Sequence, residues 1–165
     1  MEKLEDSFCS QAKTWLGDAG FSDVQLLHCE ESDSSFGDAV AVISLGPVLV
    51  RFTRERGVTS IALAHKEMEG VWIDLIKLGV LLGWYSLGAL IEYGSGPIDR
   101  VVSRGPFRRV PELLGKLKND WERVVSMLEP QSSSDTSVKI REIGKEVARA
   151  WMPEILGSSN KNNEA

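Results

Sequence analysis

The chain has 165 residues, a net charge of −5, 42% hydrophobic and 26% charged residues, two cysteines and two histidines. That length suits one domain or one domain plus an appendage, large enough to fold without staples, and the composition is ordinary for a globular protein. The negative balance disfavours sequence-independent binding to nucleic acid phosphates.

The opening residues, MEKLEDSFCSQ, are acidic and lack an apolar core, so they do not read as a signal peptide. A cytoplasmic location follows as the simplest expectation. Asp6 or Ser7 is placed to cap a first helix. Phe8, Ala12, Trp15 and Leu16 fall on one face of it, and Gly17 or Gly20 ends it. Val24 to Cys29 is a short strand candidate. Glu30 to Asp38 has turn composition and acidic charge and reads as an exposed loop. Residues 1–38 hold nine acids against Lys3 and Lys13, a balance of −7 that leaves +2 for the remainder.

Ala39 to Leu45 is a continuous β-favouring run, and Gly46-Pro47 is a turn signal. In the next run Val48, Val50 and Phe52 alternate with Leu49, Arg51 and Thr53, which is the period of a half-buried strand. Gly57 supplies the positive φ of a tight hairpin or a glycine bulge. Thr59, Ile61 and Leu63 continue the alternation on the return. Three such strands joined by short turns make an antiparallel meander.

The period then changes. Trp72, Leu75, Ile76, Gly79 and Val80 recur at helical spacing, and Gly83 breaks the helix. Val71 to Ile91 holds 15 apolar residues in 21. Asp74, Lys77 and three glycines interrupt it, so a buried helix pair is expected rather than a membrane span. Trp84 to Tyr93 reads as helix in preference to strand. The Gly/Pro-rich stretch that follows carries a basic cluster, Arg100, Arg104, Arg108 and Arg109, beside Phe107. Arginines in an acidic protein are expected to pair with its own carboxylates rather than with single-stranded nucleic acid.

Leu113, Leu117, Trp121, Val124 and Leu128 line one helical face between Pro111 and Pro130. The division expected is a single α+β domain over 1–130, a polar linker at 131–137, a C-terminal helix at 138–152 and a disordered tail at 153–165. The fold class is α+β. An N-terminal helix and an antiparallel meander of three to four strands pack with C-terminal helices.

Candidate chemistry is sparse. Cys9 and Cys29 belong to no close-spaced metal or redox motif, so two free thiols are expected, with a disulfide as the lesser alternative. His28 and Cys29 are neighbours on a strand and face opposite sides. Ser95 lies in a turn without the spacing of a nucleophile elbow, and no phosphate loop or dinucleotide fingerprint is present. The expectation is no catalytic residue, no cofactor and no metal. Five tryptophans are spread over the chain, four of them on apolar helix faces.

The segment FGDAVAVISLGPVLVRFTRERGVTSIALA, Phe36 to Ala64, resembles a pattern in small bacterial immunity-type proteins. There a phenylalanine-glycine-polar turn leads into a strand, and a second strand ends in arginine, acid, arginine and glycine. A third strand and a tryptophan-bearing helix follow, as Trp72 does here. The resemblance spans Phe36 to Leu82. Asp38 stands where asparagine is common, and Thr53 where an apolar residue is frequent. It implies a protein that binds and neutralises a cognate toxin.

The functional expectation is therefore a non-enzymatic binding module whose acidic surface occludes a basic protein partner. The alternatives are a small enzyme with a site assembled from distant residues, and an adaptor or chaperone presenting an apolar groove. The partner-binding candidates are Glu30, Glu31, Asp33 and Asp38 in the acidic loop, with Arg54 and Arg56 at the hairpin tip. The tip is expected mainly to fix the hairpin.

Overall fold

The first helix, α1 (Phe8–Asp18), begins where Ser7 adopts an extended backbone and its hydroxyl accepts the Ser10 N–H at 3.1 Å, the N-cap arrangement that satisfies one of the orphan amides of a first turn. Phe8, Cys9, Ala12 and Leu16 are buried along one face, as the spacing predicts. The computed structural model describes residues 7–33, 37–68, 70–93 and 110–160, except the side chains of 92, 93 and 151–160.

Five strands follow: β1 (Gln25–Glu31), β2 (Ala39–Leu45), β3 (Val48–Glu55), β4 (Val58–His65) and the short β5 (Ile73–Asp74). They form one antiparallel sheet in chain order, one strand longer than the meander expected. The register stacks Ala41, Phe52 and Ile61 in one row and Ile43, Val50, Leu63 and Ile73 in the next. All seven side chains are buried. Val40, Val42, Arg51, Thr53 and Ala62 point to the other face and are half-exposed. There the Arg51 guanidinium lies over the Trp72 ring at 4.4 Å. This is the period-two alternation of a strand with one face buried, and the second face is covered only toward the Gly46-Pro47 turn, where Ser44, Leu49 and Ala64 are buried.

Both central hairpins have two-residue loops, Gly46-Pro47 and Arg56-Gly57. Arg56 and Gly57 have φ of +50° and +80°, the pair of positive values a type I′ turn requires. The bulge considered from the sequence is therefore absent at this turn, because Glu55 pairs directly with Val58.

The apolar segment after β4 divides into β5, α2 (Leu75–Leu82) and α3 (Leu87–Tyr93). Asp74 caps α2 by accepting the Lys77 N–H at 3.0 Å, and Gly83 ends it in the left-handed region at φ +79°. Among the described residues no helix is long and apolar enough to cross a membrane. A Cβ on Gly79 would stand 2.8 Å from Trp84 Cε3 and 3.1 Å from Tyr85 Cε2, so α2 needs glycine where the chain folds back on it.

Leu113 to Leu128, expected as one helix, is broken at Asp120 (ψ 17°) into α4 (Val110–Asn119) and α5 (Trp121–Leu128). The Asp120 carboxylate accepts the Trp84 indole N–H at 2.6 Å, which ties the break to the α2–α3 corner. The final helix, α6 (Pro130–Asn160), contacts α2, α3 and α5.

The polar stretch 131–137 is not a linker but the first two turns of α6. Ser133 and Thr136 are buried there, and the Thr136 hydroxyl donates to the Met127 carbonyl at 2.8 Å. The Ser133 hydroxyl donates to the Pro130 carbonyl at 3.3 Å, so both buried hydroxyls have a backbone acceptor, one local and one on α5. The helix continues through 153–160, where disorder was expected, and residues 161–165 lie outside the described residues. So do Ser95 and the basic cluster of Arg100, Arg104, Arg108 and Arg109.

Candidate functional site: the acidic end of the sheet

The acidic candidates and the arginine tip, read from the sequence as two places, occupy one end of the sheet. Glu31 pairs with Ala39 across β1 and β2, and Ala39 pairs with Arg54 across β2 and β3. The Ser32 N–H donates to the Asp38 carbonyl at 2.8 Å and draws the two ends of the acidic segment together. Glu30 and Glu31 are therefore the last two residues of β1 rather than loop residues.

Each candidate has its own surroundings. The Glu31 carboxylate accepts the backbone N–H of Phe8 at 2.7 Å, so a strand residue satisfies an orphan amide in the first turn of α1. The Asp38 carboxylate accepts the Arg56 N–H at 3.0 Å and holds the hairpin tip. Arg54 donates through Nε to the Gly37 carbonyl at 2.6 Å, and its guanidinium lies 4.7 Å from the centre of the Phe8 ring. Gly37 sits at φ +60°, where a Cβ would meet the Arg54 guanidinium at 3.4 Å. Arg54 is thus a strut between the acidic segment, the hairpin and α1, held by a charge-assisted bond and a cation–π contact.

Glu30 and Asp33 present their carboxylates outward. The Glu30 side chain is 71% exposed and lies 3.1 Å from His28 Nε2, itself on the surface. Asp33 is exposed. Residues 29–32 and 38–40 line a shallow cleft of about 540 Å³ at this end.

Cys9 and Cys29 are joined in a disulfide with Cα atoms 6.0 Å apart, and this corrects the expectation of two free thiols. The bond links the buried face of α1 to β1, across 20 residues of sequence. Both residues lay on recognisable elements, but their contact depends on how α1 packs on the sheet. That is a tertiary fact with no local signal. The possible ligand atoms of Cys9, Cys29 and Glu31 lie within 4.8 Å of one another. With both sulfurs in the bridge neither is a thiolate, the form that binds metal. His65 accepts the Glu67 N–H at Nδ1 over 3.2 Å.

Two groups on the helical side are shifted from their ordinary range. Burial, and secondly the Glu112 carboxylate, raise the Tyr85 phenol. The hydrogen bond from Lys145, and then its charge, lower Glu142. Neither belongs to the acidic end.

No protein family, curated protein or solved structure was found to match this chain.

Proposed function

We propose that this chain is a non-enzymatic protein-binding module of the immunity type, which neutralises a toxin by covering its working surface, and that the acidic end of the sheet meets a basic partner there. One observation carries the reading. Glu30, Glu31, Asp33 and Asp38 converge on one end through the β1–β2 ladder, and two of them, Glu30 and Asp33, present exposed carboxylates beside a cleft. Carboxylates gathered on one surface steer a cationic partner and raise its association rate.

On this reading the candidates divide the labour. Asp38, Glu31 and Arg54 shape the platform through bonds within the chain, and Glu30 and Asp33 are the charges offered outward. Free thiols would have favoured a reducing compartment such as the cytoplasm, and the Cys9–Cys29 bridge withholds that support from the cytoplasmic expectation. A bridged form persists in an oxidising compartment, and thiol titration of protein taken from its native host reads which form is present.

The test is association kinetics against the product of the neighbouring reading frame, at low and at physiological salt. The variant is the pair Glu30→Lys and Asp33→Lys, which leaves the α1 cap and the hairpin tip intact. We expect association to slow by about tenfold at low salt, with a smaller effect once salt screens the charges. Unchanged kinetics would remove the acidic end from the interface. No binding by the wild-type chain would remove the immunity reading.

A further inference from the structure

The proposal concerns how a partner is held, and it rests on the binding reading above. Strand β1 ends the sheet. It pairs with β2 alone, and no described strand lies on its other side. In an antiparallel pair alternate residues turn their N–H and C=O groups away from the partner strand, so β1 presents a row of backbone groups outward. All seven of its residues are exposed, and Leu26 and Leu27 are 36% and 51% exposed.

Natural proteins often blunt such an edge with a bulge or with charge, and β1 has both. The bulge falls at Leu27, between Leu26 and His28. Beyond it, His28 to Glu31 run in regular register with Val42 to Ala39, which leaves a regular stretch of outer edge. The charge is of one sign: Glu30, Glu31 and Asp33 at one end, Asp23 at the other. That pattern discriminates among occupants. Two copies paired antiparallel about His28 would set Asp33 opposite Asp23. Paired about Leu27, they would set Glu31 opposite Asp23. Asp23 and Asp33 lie just beyond the ends of β1, and like charges brought together there disfavour pairing of the edge with its own copy. It suits an extended segment with lysine or arginine at its ends and β-branched residues in its middle.

We infer that the outer edge of β1 binds an extended, basic segment of a protein partner as an added antiparallel strand. Backbone hydrogen bonds supply the affinity in this mode of recognition. Here Leu26 and Leu27 give the apolar contacts, and the acids fix the charge of the partner.

The probe is a capped nonapeptide with two lysines at each end and valine or threonine between them, used with the intact disulfide-bonded chain. Two controls accompany it: the same peptide with alternate backbone amides N-methylated, and one with glutamate in place of lysine. The readouts are affinity by titration and amide hydrogen exchange resolved to Gln25–Glu31. The lysine peptide is expected to slow exchange across β1 by about tenfold or more at saturation, and both controls are expected to fail. Binding that leaves the β1 amides unprotected would overturn strand addition and leave the acidic end as a side-chain contact only. Equal binding by the N-methylated peptide would do the same. No binding by the lysine peptide would also overturn the inference, with the neighbour-partner kinetics deciding the function separately. Protection that rises with protein concentration alone would make the occupant a second copy and refute the basic segment.

Discussion

Strands β3 and β1 lie two places apart in the same sheet and are held by different means. In β3, Val48, Val50 and Phe52 have no exposed surface, and the strand is paired on both sides. In β1 every residue is exposed and only one side is paired. Burial therefore fixes β3, since each large apolar side chain removed from water contributes about 1.5–3 kcal/mol. It contributes little to β1. That strand keeps its place through the ladder to β2, the Cys9–Cys29 bond and the Glu31 hydrogen bond to the start of α1. A region secured at discrete points can leave its edge open to a partner.

Removing burial from β3 should have the largest effect. Phe52→Ala empties a site in contact with Trp15, whose ring centroid lies 5.9 Å away, and should cost about 3–5 kcal/mol by denaturant titration. All probes should unfold together. A loss below about 1 kcal/mol would mean that the central rows carry less of the stability than their burial implies.

The next largest effect belongs to the bridge. Closing a loop between residues 20 apart restricts the unfolded chain by about 3 kcal/mol. The variant Cys9→Ala with Cys29→Ala should lose roughly that amount, alanine being chosen because Cys9 is buried. Native-state hydrogen exchange should show where. Amides of β1 and the first turn of α1 are expected to open first while those of β3 keep their protection. If β3 opens equally, the bridge supports the whole fold rather than the edge.

The same contrast explains what was legible in the sequence. The meander was readable because Val48, Val50 and Phe52 alternate strictly and the turn residues at 46–47 and 57 mark its corners. The α+β class followed from the change of period at Trp72. The break at Asp120 was not readable, since the apolar stripe runs on from Leu113 to Leu128 and the Trp84 partner of Asp120 is 36 residues away. The start of α6 was missed because Ser, Thr and Asp favour loops as readily as first turns, and the acceptor carbonyl at Met127 is visible only in three dimensions.

At the site, acidity was legible and roles were not. Local composition marks Glu30 to Asp38 as charged, but the separation of Glu31 and Asp38 from Glu30 and Asp33 depends on which backbone amide each carboxylate meets. The pairing of Cys9 with Cys29 was hidden for the same reason.

The smallest effect tests that separation of roles. Glu31 and Glu30 are adjacent, equally acidic and both exposed, yet only Glu31 has an α1 amide within hydrogen-bond distance of its carboxylate. A negative charge at a helix N-terminus interacts favourably with the partial positive charge of the first turn, by about 0.3–1 kcal/mol at an exposed position. Glu31→Gln keeps an oxygen that can accept from Phe8 but loses the charge, so it should lower stability by about that amount at low salt and by less at high salt. Glu30→Gln should leave stability within about 0.5 kcal/mol of wild type, as expected for a surface charge away from a cap. Chemical denaturation of the two variants at two ionic strengths decides between them. Equal losses would mean that the carboxylate at Phe8 does no more for α1 than its neighbour does, and Glu31 would join Glu30 among the charges proposed to face a partner. A salt-sensitive loss confined to Glu31→Gln would leave Glu30 and Asp33 as the exposed charges to alter when β1 is tested against a basic strand.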